Sequence, residues 1–286
     1  MKILQGTFKY AAAAAALLFG LGSQVHAAPL PFTVDPANAG YSNPLTIDPF
    51  EATFIAGTAS TLVDLNYNGV AGQSRGVGYI NLSGFDHIIN GPIDNLDSGL
   101  GVNYKLFITY EYTMQYINGT GSGYATLGSE NIITDLSFKM WIDAAGAAGT
   151  QLTPAGVTAG NATGTAAIIN FSGNQKLIGQ STELHAGVAD INDEGGTAFN
   201  STIGFELVNP TGPLYFTAPN PFYDVSFENF NNTKQGVVFT TDGKYLVINS
   251  ANGGIDFNRV PEPATLVLLA IGLLGFSIRS KYKLNA

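Results

Sequence analysis

From Tyr104 to Ile117 the chain alternates. Tyr104, Leu106, Ile108, Tyr110, Tyr112, Met114 and Tyr116 take the even positions, with Lys105, Thr109, Glu111, Thr113 and Gln115 among the odd ones. A period of two kept up this long puts the apolar side chains on one face of an extended strand, a pattern that a helix of 3.6 residues per turn cannot satisfy. Ile132, Thr134, Leu136, Phe138, Met140 and Ile142 repeat the pattern against Ile133, Asp135, Ser137, Lys139 and Asp143. So do Ile203, Phe205 and Leu207, and Tyr223, Val225 and Phe227 against Asp224, Ser226 and Glu228. Val237 to Thr241 and Lys244 to Ile248 flank Asp242-Gly243, a dipeptide suited to a type I′ hairpin turn. No segment between the two ends of the chain carries a convincing helical period.

The expected fold is therefore all-β: a single antiparallel β-sandwich with jelly-roll-like connectivity, its turns supplied by 35 glycines among Asn, Thr and Ser. The Ala, Gly and Thr-rich stretch from Ala144 to Thr165 has too few large side chains for a central strand and reads as a long surface loop. There are no cysteines, so the fold has no disulfides to rest on. A body of about 230 residues does not require them, because it can bury a sufficient core.

Both ends of the chain read as targeting segments. Lys2 and Lys9 precede an apolar stretch from Ala11 to Leu21, and Val25-His26-Ala27 offers the small residues a signal peptidase reads, so cleavage is expected between Ala27 and Ala28. At the other end Val260-Pro261-Glu262-Pro263 is followed by an uncharged run from Ala264 to Ile278 and then by Arg279, Lys281 and Lys283. As a helix this run spans about 22 Å, short of the roughly 30 Å hydrocarbon layer. That makes it a poor permanent anchor but a plausible membrane stop. Basic residues at both extremes place the body between them outside the cytoplasm. The division is then a signal peptide at 1–27, a secreted domain at 28–258 and a C-terminal segment at 259–286.

The order Pro-Glu-Pro, hydrophobic helix, basic end resembles the PEP-CTERM sorting signal of exported proteins from Gram-negative bacteria that make exopolysaccharide. The resemblance implies an exosortase-type enzyme that recognises Pro261, Glu262 and Pro263, transient membrane insertion of 264–278, cleavage near the motif, and release to the extracellular or cell-surface matrix.

Within residues 28–260 only 7 of the 12 basic residues remain, against 20 of the 21 acidic ones, a net charge of about −13. Nucleic acid and anionic lipid are poor partners for such a body, because their phosphates call for Lys and Arg. No Gly-x-Ser-x-Gly elbow, His-Glu-x-x-His helix or phosphate-binding Gly-Lys-Ser/Thr loop occurs. His87 and His185 read as structural histidines. Asp190-Ile191-Asn192-Asp193-Glu194-Gly195-Gly196 spaces Asp190, Asn192 and Glu194 as in the first half of a calcium loop, but the twelfth position is Ser201 where a bidentate Glu belongs. The cluster reads first as a solvated acidic turn, with a weak calcium site as its functional alternative. Trp141 falls out of phase with Leu136, on the side of Lys139 and Asp143, where its ring packs into a second part of the core or stacks on a sugar.

A second resemblance rests on Pro219-Asn220-Pro221-Phe222-Tyr223-Asp224-Val225-Ser226-Phe227, Phe230-Asn231-Asn232-Thr233 and Gly253-Gly254-Ile255-Asp256-Phe257-Asn258, with Phe32-Thr33-Val34-Asp35-Pro36 and Ser98-Gly99-Leu100-Gly101-Val102. These are similar to the flocculation-associated PEP-CTERM proteins. The family implies a non-enzymatic matrix or adhesion protein that works with exopolysaccharide to aggregate cells into flocs or biofilm, and it brings no catalytic residues. The alternative is an extracellular carbohydrate-active hydrolase that uses a pair of carboxylates.

Overall fold

The computed structural model describes residues 29–39, 41, 46–70, 72–118, 128–144, 149–157, 163–192, 195–232 and 236–258. Eight long strands dominate: β1 (Phe54–Asp64), β2 (Gln73–His87), β3 (Lys105–Asn118), β4 (Ser129–Asp143), β5 (Lys176–Ile191), β6 (Thr197–Leu207), β7 (Asp224–Asn232) and β8 (Tyr245–Asn258). Each pairs antiparallel with its neighbours in the chain, and β8 returns to pair with β1 through Ile255↔Ile55 and Leu246↔Val63. The result is a closed up-and-down barrel, not the expected sandwich. Alternation reports which face of a strand is buried. It does not report whether the sheet stacks on a partner or curls round on itself, and here closure leaves no long unpaired edge.

Apolar side chains fill the interior. Ile55, Ile80, Ile108, Met140, Ile203, Val225 and Ile255 are all essentially inaccessible to solvent. The outward positions carry Thr109, Glu111, Lys139 and Glu206, the reverse of the apolar-out pattern of a lipid-facing barrel. An eight-stranded barrel is only just wide enough for side chains to fill. The interior meets this limit by setting glycines against aromatic rings: a Cβ on Gly76 would lie 2.2 Å from Tyr112 Cζ, and one on Gly179 would lie 2.1 Å from Phe205 Cζ.

Bulges adjust the alternation. On β4 the buried set is Ser129, Asn131 and Ile133, then Leu136, Phe138, Met140 and Ile142, because the register with β3 slips between Thr113↔Asp135 and Met114↔Ile133. Ile132 and Thr134 therefore point outward, against the strict alternation expected for this strand, and Ile132 is 47% exposed. The Asp242-Gly243 turn also differs from type I′. Thr240 N–H donates to Tyr245 O and Gly243 N–H to Thr240 O, which makes a four-residue loop in which Gly243 alone has a positive φ, of 70°. Its first arm, Val237–Phe239, pairs with the upper half of β8, and β7 pairs with the lower half.

β1 starts and β8 ends at the same pole, here called lower. A three-stranded sheet closes it, with Phe32–Val34 between Phe50–Ala52 and Phe216–Ala218. The Phe32 ring meets Phe257 edge-on with centroids 4.7 Å apart, and Phe205, Phe216 and Phe222 join the cluster. The upper half encloses an apolar cavity of about 50 Å³ between Ile80, Tyr112, Met114, Phe227 and Phe230. It has room for a few waters.

The stretch after β4 is more than a loop. Gln151–Thr153 pairs with Ile168–Asn170 and Gly156–Val157 with Gly164–Thr165, forming one hairpin laid over the outside of the barrel. Ala155 binds the wall through Ser60 Oγ (2.8 Å) and Asn249 Nδ2 (2.9 Å). The small residues that disqualified this segment as a core strand suit close contact with the wall. A Cβ on Gly164 would lie 2.3 Å from Leu62 Cδ1.

Candidate functional site

Asp143 ends β4 and is fully buried. Its Oδ2 accepts from Thr150 N–H, Thr150 Oγ1 and Ser172 Oγ, each at 2.7 Å, so one carboxylate holds both ends of the hairpin base. Lys105, opposite it in register, donates to Thr150 O at 3.0 Å. The docked hairpin buries Phe107 completely although that residue lies on the outward face of β3. Trp141, Phe107's partner in register on β4, also faces outward. Its indole Nε1–H donates to Thr109 Oγ1 (3.1 Å), and its ring lies 5.3 Å from that of Phe171, which is 46% exposed.

Beside this aromatic group, between the hairpin and the wall, runs an open groove of about 420 Å³, lined by Val77, Thr109, Glu111, Ser137, Lys139, Ile169 and Gln180. Glu111 is held by Arg75 at 2.6 Å; this hydrogen bond lowers its pKa, so it stays ionised. At the far side Gln180 donates to Glu206, and Glu206 lines a second depression of about 490 Å³ with Leu207, Pro213, Phe216, Pro219 and Phe222. Gln180 lines the first depression and Glu206 the second, so this hydrogen-bonded pair stands between them, and the two linings together make a row, here called the track, across β3, β4, β5 and β6. Cross-strand register builds it, because Thr109↔Lys139, Lys139↔Gln180 and Gln180↔Glu206 are successive partners. No motif along the chain announces such a row. The sequence signalled none of its members, only the neighbouring Trp141.

His87 lies at the end of β2. Its Nδ1 accepts from Ile89 N–H (3.2 Å) and its Nε2 contacts Glu51 at 3.1 Å, so both ring nitrogens are engaged. His185 Nε2 contacts Asp224 Oδ2 at 3.1 Å. In the acidic cluster, Asn192 Oδ1 accepts from Gly196 N–H at 2.7 Å and closes the β5–β6 turn. Asp190 faces Glu130 across the strands; burial, and secondarily that carboxylate, raise its pKa, while Asn131 N–H opposes the shift. Among the described residues no three His, Cys, Asp or Glu side chains come together as metal ligands. Glu194 lies outside the described residues, as do Ala27, Ala28, Pro261, Glu262, Pro263, Arg279, Lys281 and Lys283.

Residues 259–281 match the family model described as the PEP-CTERM protein-sorting motif, starting one residue past the end of β8. The chain carries a PEP-CTERM sorting motif. Neither the curated proteins nor the solved structures provide a match. The motif implies export and processing at the membrane by an exosortase. The first and last described stretches of the chain meet at the lower pole, where Leu30 N–H donates to Phe257 O at 3.4 Å.

Proposed function

We propose that the barrel is a non-enzymatic matrix protein that binds exopolysaccharide along the outer-wall track and, once its tail is processed, holds cells together in flocs or biofilm. The observation that carries this reading is the pair of depressions on either side of the hydrogen-bonded Gln180 and Glu206, with the rings of Trp141 and Phe171 beside the first of them. An open trough of mixed polar and apolar lining that crosses several strands suits a polymer entering from the side. Aromatic rings next to hydroxyl, amide and carboxylate groups suit the mixed apolar and hydroxylated faces of sugars. The net charge of about −13 on residues 28–260 favours a neutral or weakly charged glycan.

Hydrolysis has less support. A glycosidase needs two carboxyl groups about 5 to 9.5 Å apart, one of them protonated. Glu111 and Glu206 stand on β3 and β6, three strand spacings or about 14 Å apart, and Arg75 keeps Glu111 ionised.

The test is a deletion strain complemented with the wild-type chain or with Trp141→Ala combined with Gln180→Ala, scored for aggregation, total polysaccharide and polysaccharide retained on cells. The expected result is that the variant is exported at normal level and the polysaccharide is made but shed. Full aggregation by the variant would reject the track, and full aggregation by the deletion strain would reject the function.

A further inference from the structure

The lower pole carries apolar side chains that the barrel does not use. The tip that follows β2, where His87 pairs with Gly91, exposes Ile88 by 62% and Ile89 by 83%. The short helix Asn95–Ser98 that comes next exposes Leu96 by 75%. Isolated apolar residues on a surface need no explanation, but these sit at the pole from which the chain leaves for the membrane. β8 ends at Asn258 and the apolar run begins at Ala264. The six intervening steps reach at most about 21 Å when fully extended. While the tail lies in the bilayer, the lower pole is therefore held close to the headgroups.

We propose that the lower pole is a membrane-contacting foot, in which Ile88, Ile89 and Leu96 enter the headgroup region for as long as the tail is uncut. The proposal rests on the reading of the tail as a membrane-inserted sorting signal. The foot is neutral at its tip and acidic behind it, with Asp94 and Asp97 exposed on the helix that carries Leu96. Contact is thus apolar and shallow, and the pole lifts away once the tail is removed. The upper loops are left facing outward from the bilayer throughout.

Because the chain has no cysteine, a single one can be labelled cleanly. Full-length Ile89→Cys, and Val238→Cys from the upper arm as control, would each carry a polarity-sensitive dye and be reconstituted into phosphatidylcholine vesicles with headgroup nitroxide lipid. The expected result is a blue-shifted emission at position 89 and quenching several-fold stronger than at 238. Equal quenching at both positions in a chain that floats with the vesicles overturns the foot alone. A chain that does not float removes the tail reading and the foot with it. Quenching at 89 that appears only when membrane proteins are added assigns the tip to a protein partner and overturns the lipid contact.

Discussion

Two carboxylates, Asp143 and Asp190, show how differently one residue type is used in this wall. Asp143 is buried with three hydrogen bonds to the hairpin base. Replacing it with Ala is expected to destabilise by about 2 to 4 kcal/mol, given the usual worth of hydrogen bonds to a charged group. Hydrogen exchange should rise in 150–172 before it rises in β1 to β8, and uniform exchange would show that the hairpin and the barrel open together. Asp190 is the opposite case, because its pKa is raised in the folded state by burial and by Glu130 opposite. Its charged form is disfavoured by folding, so it lowers stability above its folded pKa and ceases to do so as pH falls through that value towards the unfolded one. Asp190→Asn should raise the melting temperature at neutral pH, with the difference closing in acid. If calcium binds there, the wild type should instead gain stability on adding millimolar calcium and the Asn variant should not.

Among the elements, the glycine-against-ring pairs are the most exposed to a small change. Gly76→Ala is expected to cost about 1 to 3 kcal/mol by overpacking against Tyr112, and Gly76→Ala with Tyr112→Leu should recover part of that loss in denaturant melts. An unchanged single variant would mean that the ring has room to shift. β3 was legible in the sequence because it faces the core on one side along its whole length. β4 was legible only below its bulge, since one extra residue reverses every side chain beyond it and nothing near Thr134 marks the place. The hairpin over the wall was invisible for a related reason: its small residues record a close approach to other strands, and alone they look like loop. Thr109, Lys139, Gln180 and Glu206 are neighbours only through register, so the candidate site could not be read before the strand order was known.

For the whole molecule, the track predicts a dependence on polymer length. Affinity measured by calorimetry should climb with oligosaccharide length until the ligand reaches both depressions, and Glu206→Ala should flatten the climb; length-independent binding would confine recognition to one depression. Binding by one barrel is expected to be weak, and many copies on one polymer would supply the avidity. The seam between β1 and β8 bears on the order of events during export. β1 crosses the membrane early and β8 last, with about 190 residues between their facing positions, a loop whose closure costs about 4 to 5 kcal/mol by the logarithmic rule. The first strand must therefore wait for its partner until translocation is almost finished, and that partner emerges directly ahead of the sorting motif. A tail held at the membrane for processing would give the barrel time to shut beside the export channel, and the sorting motif would then act as a pause that lets the final seam form before release.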